Sequence, residues 1–291
     1  MFELLLQTSL NAIYAASFMA LVAVGLVLIF GVMGVINFAH GELYMLGAYG
    51  VVYIYAENEL PFFLAVAVGL IFVGLVGIGM ERVLFRPLRD NPLAGLIASI
   101  GLLIILQTLA VLQFGVRMEH IPPWTQEVLQ VFGLEGVVLP VQRLSVILAA
   151  IVLLSALWIF LRRSKFGWAL RACAQDPEAA ALQGISMNRT ARMAMFIGAA
   201  LAGVAGALTA PLVRTAPNMG HSVIVTAFII IIVGGIGSLE GAVVAAVLYA
   251  FVHTFVTTFY DGVIAQIVGL MLMLLVLVIR PTGLFGARER A

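Results

Sequence analysis

Asn37, His40 and Glu42 near the start of the chain, and Ser238 and Glu240 towards its end, are polar side chains set in long apolar surroundings. A carboxylate in hydrocarbon costs at least ~2.5 kcal/mol, so groups of these types at membrane depth must face water, a solute or each other. The chemistry open to them is weak polar contact with a passing molecule, or the holding of a proton or cation. Each also has a plainer reading. His40 and Glu42 fit a helix end in the headgroup region, Glu240 fits a cap beside a glycine-rich turn, and Asn37 fits an Asx-type turn. The four histidines are scattered with no i, i+4 pair, which excludes a helical His–His metal site. No Ser-His-Asp arrangement suggests itself. A phosphate-binding loop needs Gly-Lys-Ser/Thr, and the one lysine, Lys165, follows Ser164, so this chain does not hydrolyse ATP by that route.

The second stretch with chemistry of its own is Arg162 to Arg192, the one long charged interruption in a chain that is 63% hydrophobic and 10% charged. It is where a soluble partner can be met, and it reads as a cytoplasmic docking element. Within it, Asp176 is a good N-cap, Pro177 fits the first helical position, and Glu178 sets negative charge at the positive end of the helix dipole. Gly184 supplies a left-handed stop. The spacing predicts a helix of about two turns, Pro177 to Gln183, whose small Ala179, Ala180 and Ala181 let a partner's groove close on the backbone. An ordinary capped surface helix is the alternative. Glu178-Ala179-Ala180 followed after three residues by Gly184 resembles the EAA-x-x-x-G coupling motif of ABC importer permeases.

The elements that must carry these residues follow from composition. With a mean hydropathy of +1.16 and uncharged runs long enough to cross a bilayer, the chain reads as an all-α, polytopic membrane bundle of about eight to ten spans, one domain over 1–291. Net charge +1 without a basic cluster outside short loops argues against nucleic acid. The single cysteine, Cys173, excludes an intrachain disulfide. Since Lys and Arg are absent before Arg82, a cleaved signal peptide is not expected.

Leu4 to Ala39 is too long for one crossing of about 20 residues and must break. Gly31 to Gly34 offers the place, giving helices of roughly 5–30 and 35–56. Further spans are expected at about 61–80, 93–114, 144–161, 193–213, 223–236, 242–259 and 263–279. The polar segment 115–143 reads as an ordered interfacial loop. Twelve of the fifteen cations fall in 82–89, 162–192 and 280–290. The positive-inside rule then places those segments in the cytoplasm and the N-terminus outside, with nine crossings. A re-entrant half-helix near Gly34 or Gly234 would change that count by one. Cys173, within the docking stretch, is expected to be a thiol that reports this topology.

Residues 29–55 laid over 229–255 match at Ile29, Gly34, Ile36, Gly41, Tyr49 and Val52, six identities where so apolar a composition gives roughly two or three by chance. Both segments are glycine-interrupted helices carrying polar groups, and broken helices in corresponding halves point to a transport route. The expected pathway set is Asn37, His40, Glu42, Gly234, Gly237, Ser238 and Glu240.

Four motifs carry a closer resemblance: Gly34 to Glu42 (GVINFAHGE), Arg171 with Asp176 to Ala180 (DPEAA) and Gly184-Ile185, Gly234 to Gly241 (GGIGSLEG), and Arg280 to Gly286 (RPTGLFG). In order and spacing, over nearly the whole chain, they look like the permease of branched-chain amino acid ABC importers, the LivH family. The resemblance implies a second homologous permease, two ATPase subunits that hold ATP and Mg, and a periplasmic or lipoprotein substrate-binding protein. It also implies contact with membrane lipid in a bacterial or archaeal cytoplasmic membrane. No cofactor is implied in this chain. Arg171, Asp176, Pro177, Glu178, Ala179, Ala180, Gly184 and Ile185 would form the ATPase-coupling element. Close relatives carry urea or short amides, which is one alternative. A self-contained, ion-coupled carrier or channel using Glu42 and Glu240 is the other.

Overall fold

The computed structural model describes residues 1–131, 133–134 and 136–286. The chain runs α1 (Phe2–Met33), α2 (His40–Val51, continued by a π-helical turn Val52–Glu57), α3 (Phe62–Met80, with a π-helical turn Glu81–Phe85) and α4 (Pro92–Phe114). A short hairpin of β1 (Val128–Gln130) and β2 (Val138–Pro140) leads into α5 (Val141–Arg163), α6 (Lys165–Gln175) and α7 (Pro177–Leu182). The chain then forms α8 (Met187–Thr209), α9 (Met219–Gly234), α10 (Leu239–Phe259) and α11 (Gly262–Ile279). Seven of the described helices are long and apolar enough to cross a membrane alone. The chain is thus a multi-pass helical bundle. Of the nine crossings expected from the sequence, seven are met by such helices, with the 16-residue apolar α9 and the 12-residue α2 shorter than a full span.

The core is α1 and α8, which are largely enclosed, whereas α4, α5 and α11 expose most of their apolar surface. Helices attract one another poorly through apolar side chains in lipid, so close backbone approach at small residues takes that role. Gly25 of α1 meets Gly198 of α8, Gly47 of α2 meets Gly203, and Gly206 lies against the Tyr44 carbonyl.

The first break differs from the expected one. The helix α1 continues to Met33 and ends on Gly34 in the left-handed conformation (φ 64°), and α2 starts only at His40. Between them the chain doubles back into the bundle: His40 bonds the carbonyl of Val22, eleven residues or about 16 Å up α1 from Met33. Neighbouring α4 gives the same height independently. Gly95 lies against Val35, Ser99 bonds Phe38, and Gln107 bonds Glu42, a climb of about 18 Å between Gly95 and Gln107.

The second break, at the corresponding position, is a tight turn instead. Gly235 (φ 103°) ends α9, Ser238 N–H bonds the Gly235 carbonyl, and the Ser238 hydroxyl accepts from Gly241 N–H, so α10 begins at once. That local cap holds Ser238 and Glu240 in the turn and first residues of α10, apart from His40 and Glu42. Glu240 is largely exposed and 3.4 Å from Arg162.

The basic residues gather at one end. Glu81 is fully buried and holds both Arg86 (3.1 Å) and Arg89 (3.2 Å), and Arg89 bonds Asn188 at the start of α8. At the other end Gln7 accepts from Val138 N–H in the hairpin and Trp124 stacks on Phe62. The described residues of 115–143 therefore cover this end and include a small sheet, Leu129 opposite Leu139.

A helix the sequence reading did not resolve, α6, fills the first part of the docking stretch. It buries Gly167, Leu170 and Cys173 and leaves Trp168 and Arg171 outside. Cys173 is 1% exposed, which corrects its expected use as a topology probe. In intact and in inside-out vesicles alike, native Cys173 should resist a membrane-impermeant maleimide, while Gln175→Cys on the exposed side of α6 labels from the inside only. Equal labelling rates at the two positions would overturn the burial of Cys173.

Candidate functional site

Two places answer to the candidate residues, one inside the bundle and one at its basic end. Inside, Asn37, His40 and Glu42 are each 0% exposed. The first turn of α2 lacks a side-chain cap, and its Gly41 packs on the Gly220 backbone of α9, where any side chain would collide. That contact seats the start of α2 against the start of α9.

The polar groups there are only partly satisfied. His40 Nε2 donates to the Val22 carbonyl at 3.1 Å, which fixes the proton on that nitrogen and leaves Nδ1 as a lone-pair face without a partner among the described residues. Glu42 Oε1 accepts from Gln107 Nε2 at 3.0 Å, while Oε2 has no such partner. Both polar atoms of the Asn37 side chain are likewise unpaired. Buried polar atoms are rarely left so, since each costs about 1–3 kcal/mol. Three residues within six positions share the pattern, all on the segment that doubles back. The arrangement offers acceptors and an amide donor in an apolar wall, which suits transient contact with a zwitterionic or polar solute.

Gln107 and Ser99 on α4 were missed by the sequence reading. Ser99 accepts from Phe38 N–H at 3.1 Å, replacing a ladder bond that the broken helix cannot make. Ser99, Gln107, Thr108 and Gln113 are the polar residues in the otherwise apolar run of α4, and that was the available signal. Gly234, Gly237, Ser238 and Glu240 are not part of this cluster. They form the turn into α10 at the basic end.

The helix α7 (Pro177–Leu182) takes the expected capped form, one residue shorter than the predicted Pro177 to Gln183. Asp176 Oδ1 accepts from Glu178 N–H (3.0 Å) and Ala179 N–H (2.9 Å), with Pro177 at the first position. At the other end Gly184 (φ 79°) donates to the Ala181 carbonyl and Ile185 N–H to the Ala180 carbonyl, the paired bonds of a Schellman stop. Ala180 faces inward, while Glu178, Ala179, Ala181 and Leu182 face outward, Leu182 at 87% exposure. Arg171 stands apart from them: its guanidinium donates to the Leu161 carbonyl and lies over the Trp168 ring.

A polytopic bundle with a broken second helix, polar groups at membrane depth and a capped helix at its basic end is the architecture of a transporter's membrane subunit. The family model described as "Branched-chain amino acid transport system / permease component" matches residues 8–279, and the chain belongs to that family. It is 33% identical to the high-affinity branched-chain amino acid transport system permease protein BraD of Pseudomonas aeruginosa, over 98% of this chain and 96% of that one. It is 34% identical to the permease protein LivH of Escherichia coli K12, with the same coverage. The probable LivH of Methanocaldococcus jannaschii shares 27% over 95% of this chain and 91% of its own. Among solved structures, PsaBC from Streptococcus pneumoniae in complex with Fab superposes with a TM-score of 0.54 at 14% identity, covering 94% of this chain and 92% of that one, a likeness of fold alone.

The Glu42–Gln107 pair carries a stability prediction. Gln107→Leu strips the donor from a buried carboxylate and should cost about 1–3 kcal/mol, read as a lower thermal midpoint of the purified protein. Adding Glu42→Leu should recover most of that loss, because removing both partners leaves nothing unpaired. An unchanged midpoint in the single variant would show that the pair contributes nothing.

Proposed function

We propose that this chain is the permease subunit of an ATP-driven importer of branched-chain amino acids in a bacterial or archaeal cytoplasmic membrane. In this reading it forms half of the translocation pathway beside a second homologous permease. Two ATPase subunits carry ATP and Mg, and a periplasmic or lipoprotein binding protein delivers the substrate. The observation that carries the reading is α7. A helix of six residues is too short to persist alone, yet it is capped at both ends and presents Leu182 and two alanines to the outside, a surface suited to a partner's cleft. The names of the relatives support the substrate class. The basic end, Arg82 to Arg89 with 162–192, is cytoplasmic by the positive-inside rule.

Within the pathway, Asn37, His40 and Glu42 are the polar contacts, with Gln107 holding Glu42. Glu240, paired with Arg162, stands at the cytoplasmic rim. The ion-coupled alternative rests on Glu42, a buried carboxylate with one free oxygen, and it has no use for a capped docking helix.

The test compares membrane abundance, ATPase co-purification and amino acid uptake. Gly184→Val puts a β-branched residue in a left-handed position, and Glu178→Lys reverses the charge at the helix start. Both variants should insert at near-normal levels and either lose the ATPase or keep it without transport. Asp176→Ala, at about 1 kcal/mol of helix stability, should give a partial defect. His40→Ala should lower uptake while the complex still hydrolyses ATP. Normal ATPase retention and uptake in both docking variants would sink the coupling role and favour the ion-driven carrier.

A further inference from the structure

A groove of about 990 Å³ opens between α1, α5, α6 and α10 at the basic end of the bundle, away from the polar cluster around His40. Its walls are apolar, with Val24 and Leu28 from α1, Leu154 and Leu157 from α5, and Val243 and Val244 from α10. Along α5 it extends from Leu154 to Arg162, about 12 Å, or most of one leaflet's hydrocarbon depth. Val244 both lines the groove and belongs to the exposed apolar face of α10, so the groove is continuous with the lipid-facing surface. A molecule coming from the bilayer can enter it sideways. Unfilled, such a groove would forfeit the dispersion contacts of its walls.

The mouth is of different chemistry. Arg162 lies 4.2 Å over the Trp158 ring and 3.4 Å from Glu240, and Arg171 lies 5.0 Å over Trp168. A guanidinium has five N–H donors. Arg162 gives one to Glu240 and Arg171 one to the Leu161 carbonyl, so donors remain on both. Two cations against one carboxylate leave net positive charge at the rim, and Arg163 and Lys165 in the adjoining turn add to it. Both tryptophans are exposed at this level, where indole rings favour the membrane interface. Basic pockets between helices on the cytoplasmic side are suited to anionic lipid headgroups.

We propose that this groove is a binding site for an anionic glycerophospholipid of the leaflet on the basic side. One acyl chain lies along Leu154, Leu157 and Val243, and the phosphate rests on Arg162 and Arg171. The bound lipid fills the space between α5 and α10 and so braces α6, which carries Arg171 and leads directly into the docking helix.

The test reads lipid occupancy and does not depend on transport. The full chain, purified in its assembled complex and separately alone, is titrated with phosphatidylglycerol and with phosphatidylcholine, and bound lipid is followed by native mass spectrometry. Phosphatidylglycerol should bind in preference to phosphatidylcholine, and Arg162→Gln should weaken it about fivefold, the factor expected for one basic residue at a membrane surface. Gly31→Leu is the independent variant. Gly31 lines the groove, and a Cβ built there meets nothing within 4 Å, so leucine fills the groove without disturbing the backbone. It should abolish binding at normal membrane abundance. Equal retention of the two lipids, or wild-type binding in Gly31→Leu, would overturn the site. Lipid bound to the isolated chain and excluded from the complex would assign the groove to a partner subunit instead.

Discussion

Backbone polar groups have no partner in hydrocarbon, and everything about the centre of this bundle follows from one place that leaves helical geometry inside it. Residues 34–39 leave helical geometry beside α1, from the left-handed Gly34 to a turn at Phe38 and Ala39. Such a segment persists only when protein surrounds it. Ser99 of α4 takes the Phe38 N–H, the Asn37 carbonyl takes the His40 N–H, and the Ala39 carbonyl takes that of Glu42. The helices α1, α4 and α9 therefore have to stand where they do. The glycine contact between Gly41 and Gly220 is what lets α9 come close enough.

The same break creates the site. An α2 that began at the membrane surface would carry its first-turn residues in the headgroups, with water to satisfy them. Starting about 16 Å up α1, it brings His40 and Glu42 into the enclosed core with donors and acceptors left over. At the basic end the opposite holds. Glu81 is equally buried, but two guanidiniums meet it, and it ties the α3–α4 turn to the start of α8. One carboxylate is structurally spent and the other is left with a free oxygen. That difference separates a structural ion pair from a candidate solute contact.

What could be read from the sequence divides along the same line. The helix α7 was legible almost to the residue, because its ends depend on Asp176, Pro177 and Gly184, whose effects reach only two or three positions. The long spans were legible from apolar length. The different fates of Glu42 and Glu240 were not. Both follow a glycine break at matching positions, and only the Ser238 cap, which restarts α10 at once, distinguishes them. Burial of Cys173 was legible but missed: α6 carries only Lys165 and Arg171 as charges, and Gly167, Leu170 and Cys173 recur three apart on one face.

The helix α8 joins the two candidate places physically. It starts just after Gly184 and Ile185, is held at that end by Arg89 through Asn188, and runs through the core to Thr209. On the way it passes α2 at backbone contact, Gly203 against Gly47 and Gly206 against Tyr44, and the Tyr44 hydroxyl meets Thr209 Oγ1 at 2.6 Å. Contacts between backbones without intervening side chains leave little slack, because close-packed interiors transmit displacement instead of absorbing it. One helix and three close contacts thus connect the end of α7 to α2, the last of them at Tyr44, two residues from Glu42.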